Sequence, residues 1–444
     1  MENTVTSGVV QSSDKKTHRA WAMYDWANSA YNLVITSTIF PIYYEAVTAS
    51  SDKSGGDIVS FFGLRIKNSS LFDYSIASAY LVIALLSPIL SSIADYKGNK
   101  KLFMQIFCYL GSIACCMLYF FDKNTLELGV VSSALAAIGY CGSLVFYNSY
   151  LPEIALPHER DKVSAMGFSY GYIGSVILQI VCFIFVLKPQ FFGITDGTFP
   201  ARLSFLLVGI WWMAFAQITF AKMPKGVAAA QDKAHNLLVN GFHELAKVWQ
   251  QLKKLSVLKK FLGAFFFYSM GVQTVMLAAT LFGKKELHLE SGQLIATILI
   301  IQLVAIAGAV IMARLSEKLG NLVVLLMTVF IWIGACIAAY YVYSATGFYI
   351  LAAVVGIVMG GIQSLSRSTY SKLMPVTHDT ASFFSFYDVT EKIAIVIGMA
   401  TFGKIDELMN MRVAILALIS FFLVGAFILA RAQMLFKKQQ VTAN

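Results

Sequence analysis

The chain has 444 residues, 58% of them hydrophobic and only 13% charged, with a formal net charge of +10 and a mean hydropathy of +0.69. One soluble core of that length cannot bury so much apolar surface, and a soluble two-domain enzyme would need about 25% charged residues to cover itself. The bilayer is therefore the expected solvent, and the positive excess is what cytoplasmic loops present to anionic lipid, without nucleic acid as a partner.

A hydrocarbon core of about 30 Å needs roughly 20 apolar helical residues. Such runs occur at 21–45, 74–94, 102–121, 128–150, 164–187, 202–221, 261–283, 291–313, 321–342, 347–370, 382–403 and 411–432. They are continuous and lack the alternation of a lipid-facing strand, so the expectation is an all-α integral membrane protein with twelve transmembrane helices. Counting Lys and Arg in alternate loops puts 23 of the 34 on one side and 10 on the other, with Lys392 inside a span. Basic loops stay cytoplasmic, which places both termini there. The first twenty residues carry Lys15, Lys16 and Arg19 but no apolar core, so the first span itself is expected to direct insertion.

Residues 222–260 form the longest polar stretch and divide the chain into six-span units at 21–221 and 261–432, flanked by tails at 1–20 and 433–444. Within that stretch Phe242, Leu245, Trp249, Leu252 and Ser256 follow helical spacing, with Lys247, Lys253 and Lys254 on other faces. A basic amphipathic helix on the cytoplasmic membrane surface is expected. The loop after span 2 holds Asp95, Gly98 and Asn99, and the loop after span 8 holds Glu317, Gly320 and Asn321, the same pattern at an offset of 222. An echo at the same topological place marks parallel six-span repeats. The six cysteines, Cys108, Cys115, Cys116, Cys141, Cys182 and Cys336, fall inside spans without metal-site spacing and read as packing residues.

An ionisable residue inside a span is a functional candidate, because insertion costs about 2.5 to 3.5 kcal/mol at the helix centre. Span 1 carries Asp25, Asn28, Ser29, Asn32 and Thr36 along one helical face, which must line a wet path or meet polar partners. On span 11, Ser385, Asp388 and Lys392 share a face, and Asp388 and Lys392 stand at i, i+4, a spacing at which they neutralise each other. Glu391 is left without a partner in its own helix and is the expected carrier of a coupling proton. Tyr140, Ser143 and Tyr147 on span 4, Tyr268 and Gln273 on span 7, and Gln363, Ser364 and Arg367 on span 10 supply further polar groups. No phosphate loop, zinc-binding helix pair or serine elbow is present, so neither an enzyme nor a cofactor or metal is expected, and an electrochemical gradient remains as the driving force.

Ser91 to Lys101 resembles the loop signature of the major facilitator superfamily, matching at Asp95, Gly98, Lys100 and Lys101, with Ser91 for the usual first glycine and Tyr96 for the usual arginine. The segments WAMYDWANSAY from Trp21, FYNSYLPEIA from Phe146, GGIQSLSRSTYSKLMP from Gly360 and FFSFYDVTEKIAIVIGMATFG from Phe383 resemble the vacuole effluxer family. The resemblance implies two pseudo-symmetric six-helix bundles with spans 1, 4, 7 and 10 around a central cavity. It implies a monomeric permease moving a small polar solute by alternating access, amino acids first, with protons as coupling ion. Asp25, Asn28, Asn32, Tyr140, Tyr147, Gln273, Gln363, Arg367, Asp388, Glu391 and Lys392 become the expected pathway. Asp95, Gly98, Glu317 and Gly320 become the expected gate, Asp95 meeting the partly positive N-terminal end of span 11. Compact loops suit a bacterial plasma membrane. The alternatives are a permease for a nucleoside or sugar, or a receptor or scaffold that kept the fold without transporting.

Overall fold

The computed structural model describes residues 14–49, 57–224 and 237–443. Span 1 is one continuous helical rod in three pieces, Lys15–Ala30, Tyr31–Ile39 and Phe40–Thr48. Spans 2 to 6 are Asn68–Lys97, Lys100–Met117, Leu126–Ser149, Arg160–Leu187 and Phe199–Lys222. Spans 7 to 12 are Ser256–Lys285, Ser291–Leu319, Asn321–Tyr341, Ala345–Leu373, Thr380–Leu408 and Met411–Ala443. Ten of these cross a membrane on length and apolarity alone among the described residues; the other two are the polar spans 1 and 11.

Several helices outrun their apolar cores. Span 1 starts at Lys15, where Asp14 accepts from the backbone N–H of Lys16 and Thr17, and span 12 runs on to Ala443 rather than ending at 432. Hydropathy sees only the part in hydrocarbon, whereas Lys437, Lys438 and Gln439 are good helix formers in water and let the hydrogen-bond ladder continue. The loop between spans 1 and 2 adds a small antiparallel hairpin, β1 (Ile58–Phe61) and β2 (Leu64–Lys67), turning at Phe62 and Gly63, both with positive φ. Two such residues match the twist of a two-residue hairpin turn.

The middle piece of span 1, Tyr31–Ile39, is a π-helix. Pro41 follows it and brings no N–H to the ladder. The hydroxyls of Ser37 and Thr38 donate to the carbonyls five residues back, Asn32 and Leu33, at 2.8 Å each. A wide turn of this kind re-aims every side chain beyond it.

The two six-span bundles bury largely separate apolar cores, one around Trp21, Phe146 and Trp212, the other around Phe261, Trp332 and Phe422. The linker helix, Leu237–Lys254, packs across the junction of spans 2 and 11. Of the expected stripe Leu252 is buried and Val248 joins it, whereas Phe242 and Trp249 are 56% and 45% exposed. Val248 falls between the positions of the predicted stripe because the helix packs on other helices, span 2 above all. Trp249 stacks on Phe386 of span 11 at 5.6 Å, and Lys247 lies 3.8 Å from Asp379.

Candidate functional site

The two bundles are tied together at one face, the basic face, where spans 2, 4 and 6 end and spans 5, 9 and 11 begin. The carboxylate of Asp95 accepts from the backbone N–H of Ala381 at 3.2 Å, and from the backbone N–H and hydroxyl of Ser382 at 2.7 and 2.8 Å. These are first-turn donors of span 11, the contact that the loop signature implies for this aspartate. Gly98 makes the turn at φ 64°, and Lys100 reaches Glu153 and the hydroxyl of Thr380. Thr380 in turn donates to Glu153 at 2.7 Å, so one polar chain runs from span 2 through span 3 and the end of span 4 to span 11.

The second repeat departs from the symmetry. Glu317 is exposed and has no polar partner among the described residues, although Gly320 keeps a positive φ of 85°. The acid comes instead from the first turn of span 5. Asp161 accepts from Ser316 at 2.9 Å, Asn321 at 2.7 Å and Lys372 at 2.5 Å. Arg160 beside it donates to the Ser371 carbonyl at 2.7 Å. The sequence echo caught the glycine and the asparagine, but span 5 already carries its own acid where a second loop carboxylate would have gone.

Deeper in, Arg367 of span 10 crosses into the first bundle. Its Nη1 donates to Asp25 at 3.1 Å and Asn148 at 3.2 Å, and its Nε and Nη2 donate to the hydroxyl and carbonyl of Ser164, both at 2.9 Å. The guanidinium lies against the rings of Trp21 and Phe168, 4.7 and 4.2 Å from their centres. Tyr147 completes the group by donating to Asp25 at 2.8 Å, and Trp21 stacks on its ring. Gly167 makes room, since a methyl group there would sit 2.6 Å from the Asp25 carboxylate. Asp25 is therefore buried, 5% exposed, and paired across the bundles, so that of the two expectations for its face it meets a polar partner.

Above this pair opens a cavity of about 220 Å³ between the halves. Of the expected pathway, Asp25, Asn32, Tyr140, Gln273, Gln363, Arg367, Glu391 and Lys392 line it. Asn28, Tyr147 and Asp388 do not: Tyr147 lies beneath the floor, Asp388 is packed behind Lys392, and Asn28 is buried at the edge of the polar stripe. The π-turn brings in Ser37, which α-helical spacing from Asp25 would turn away. On the span 11 wall, Glu391 accepts from Gln273 of span 7 at 3.0 Å and also meets Lys392 next to it, so the expectation of no partner in its own helix does not hold. Lys392 sits 3.3 Å from Asp388 and 3.5 Å from Glu391.

Sequence reasoning missed Asn148, Ser164, Tyr172 and Tyr80. Tyr172 donates to Gln363 at 2.8 Å, and Tyr80 sets its ring 5.9 Å from the Lys392 ammonium. Asn148 lay in the quoted FYNSYLPEIA segment; spans 2 and 5 offered only isolated tyrosines and serines, with no polar stripe to single them out.

The family described as "Vacuole effluxer Atg22 like" matches residues 13–441. The uncharacterized MFS-type transporter YxiO of Bacillus subtilis is 33% identical over 417 residues, 94% of each chain. Autophagy-related protein 22 of Kluyveromyces lactis is 25% identical, again over 94% of each. Among solved structures, the human organic anion transporter MFSD10 superposes with a TM-score of 0.72 at 13% identity, over 94% of this chain and 100% of that one. FucP in the outward conformation gives 0.69 at 12%, over 94% and 98%. The chain belongs to the vacuole effluxer Atg22-like family, and it is a multi-pass membrane transporter with the all-α major facilitator fold.

Proposed function

We propose that this transporter moves a small polar solute by proton-coupled alternating access, with amino acids as leading cargo. The observation that carries the reading is the inter-bundle cavity, closed at its floor by Arg367 and Asp25 and bearing an ionisable cluster on one wall. A buried charge pair that joins two rigid bundles is a latch that one conformation makes and another breaks. The enclosed volume suits a metabolite of amino-acid size, and the walls mix amides, hydroxyls and aromatic rings as selective small-molecule sites do. The family resemblance adds amino acids; protons are favoured because Asp388, Glu391 and Lys392 hold ionisable groups at membrane depth.

Lys and Arg distribution supports a cytoplasmic basic face with both termini on that side. In that orientation the latches close the cytoplasmic end, and the cavity is that of an outward-facing state. A monomer in a bacterial plasma membrane is the setting we favour.

The test is uptake into proteoliposomes. With a pH gradient, radiolabelled amino acids from a mixed pool should accumulate above their equilibrium level, and Glu391→Gln should abolish the accumulation. Accumulation of uridine or glucose in place of amino acids would replace the cargo. Accumulation that ignores the pH gradient, or survives Glu391→Gln at the wild-type rate, would remove proton coupling through this cluster.

A further inference from the structure

The charges around the cavity do not balance. Three carboxylates, Asp25, Asp388 and Glu391, stand against two cations, Arg367 and Lys392. Neither cation is open to a solute. Arg367 is committed to Asp25, Asn148 and Ser164 and covered by aromatic rings, and its side chain is 3% exposed. Lys392 is held between Asp388 and Glu391, with 6% of its side chain exposed. Both cations line the cavity, but a solute carboxylate would have to compete with a protein carboxylate for either one.

The anionic side is different. Asp388 uses one oxygen on Lys392, while its other oxygen is buried with no partner among the described residues. Glu391, 22% exposed in its side chain, is the carboxylate of the cluster that lines the cavity. Asp388 is packed behind Lys392; besides Lys392, the ionisable groups lining the cavity with Glu391 are phenols, Tyr80, Tyr140, Tyr172, Tyr268 and Tyr387, and the thiol of Cys141, with Arg367 and Asp25 at the floor. Phenol faces stabilise an organic cation, and none of these groups supplies a second positive charge for Glu391.

We propose that Glu391 accepts, in alternation, a proton and the protonated amine of the solute, so that the transporter exchanges one organic ammonium for one proton. The proposal rests on the transport reading above and adds both what is recognised and the mode of coupling. With two cations committed to three carboxylates, one negative charge remains; one proton or one ammonium neutralises it, but not both. A carrier loaded with a proton, or with an ammonium that brings no carboxylate, is balanced and able to reorient, whereas the empty one carries a net buried charge, which is costly at membrane depth. One ammonium leaves as one proton enters; for a monovalent amine or amide the exchange is electroneutral, and for a zwitterionic amino acid, which takes its carboxylate along, it moves one net charge.

The experiment uses the purified full chain with matched sets of probes built on leucine, serine and lysine: the amino acid, its amide without the carboxylate, and its deamino acid without the α-amine. Thermal stability is read with each at pH 8.0 and pH 5.5. Amino acids and amides should raise the melting temperature at pH 8.0 and raise it less at pH 5.5, where protons compete for the same carboxylate. The deamino acids of leucine and serine should do nothing. Glu391→Gln should keep its own melting temperature within a few degrees yet lose the response to amides, and lose counterflow as well as accumulation; a residue carrying only the proton would leave counterflow intact. Glu391→Asp keeps the charge and should restore part of the response. Binding of deamino acids in preference to amides, or amine binding equally tight at both pH values, overturns the proposal. If deamino acids, glucose or uridine then accumulate under a pH gradient, transport stands and only the exchange falls. If no probe binds and none is transported, both fall.

Discussion

Arg367 and Asp25 show how one pair can decide what a site is for. The Coulomb attraction of a buried pair only offsets its desolvation, but removing one partner leaves an uncompensated charge, typically at a cost of about 3 to 5 kcal/mol. Asp25→Asn should therefore lower the melting temperature markedly and loosen the closed basic face, and the double change with Arg367→Gln should recover part of the loss. A drop in cargo affinity with unchanged stability would instead make Asp25 a cargo-binding anion. Arg367→Lys should not rescue, because an ammonium cannot fill the planar slot between Trp21 and Phe168 while bonding Ser164 and Asn148. Asp95 acts by a different device, a carboxylate on the free N–H groups of span 11. Asp95→Asn keeps an acceptor but loses the charge, so it should shift the balance toward an open basic face while leaving cargo binding intact. Spin labels at positions 97 and 378, both exposed, should report a larger share of long distances; an unchanged distribution would reject the gating role.

Among the elements, the linker helix is more than a tether, because it seats on span 2 of one bundle and span 11 of the other beside the Asp95 latch. Any opening of that junction must release it from one side. Trp249→Ala removes a half-exposed ring stack of the kind worth about 0.5 to 1.5 kcal/mol. It should raise the open population on the same spin-label pair by up to about tenfold, since 1.4 kcal/mol corresponds to that factor in an equilibrium constant. No change would mean that the helix moves with one bundle as a passenger. Span 1 makes the complementary point, since its π-turn costs regular hydrogen bonding yet supplies Ser37 to the cavity, and wide turns of this type recur at functional sites.

For the whole molecule, orientation is the prediction with the widest consequences. In intact cells and a cysteine-free background, single cysteines at positions 123 and 284 should react with an impermeant maleimide, and those at 97, 253 and 437 should not. Labelling at 97 or 253 would invert the molecule and turn the outward-facing cavity into an inward-facing one.

The twelve spans and their helical character were legible in the sequence because the hydrocarbon demands about 20 apolar residues wherever the chain crosses, and that demand is local. Asp95 was legible through a loop signature, and the Asp388–Lys392 pair through i, i+4 spacing, again within one short segment. Whether Asp25 meets water or an arginine depended on residue 367, 342 positions away, and Glu391 found a second partner, besides Lys392, in Gln273 of span 7. The contacts of Asp161 with Ser316, Asn321 and Lys372, the exposure of Glu317, and the exclusion of Asn28 and Tyr147 from the cavity depended likewise on which helix faces which. Those facings are set by packing between bundles, where a rotation of some 60° about a helix axis exchanges a cavity position for a buried one. The sequence by itself determined where the chain crosses and which residues are too polar to face lipid; only the tertiary structure decided which of them face each other and which face the cavity.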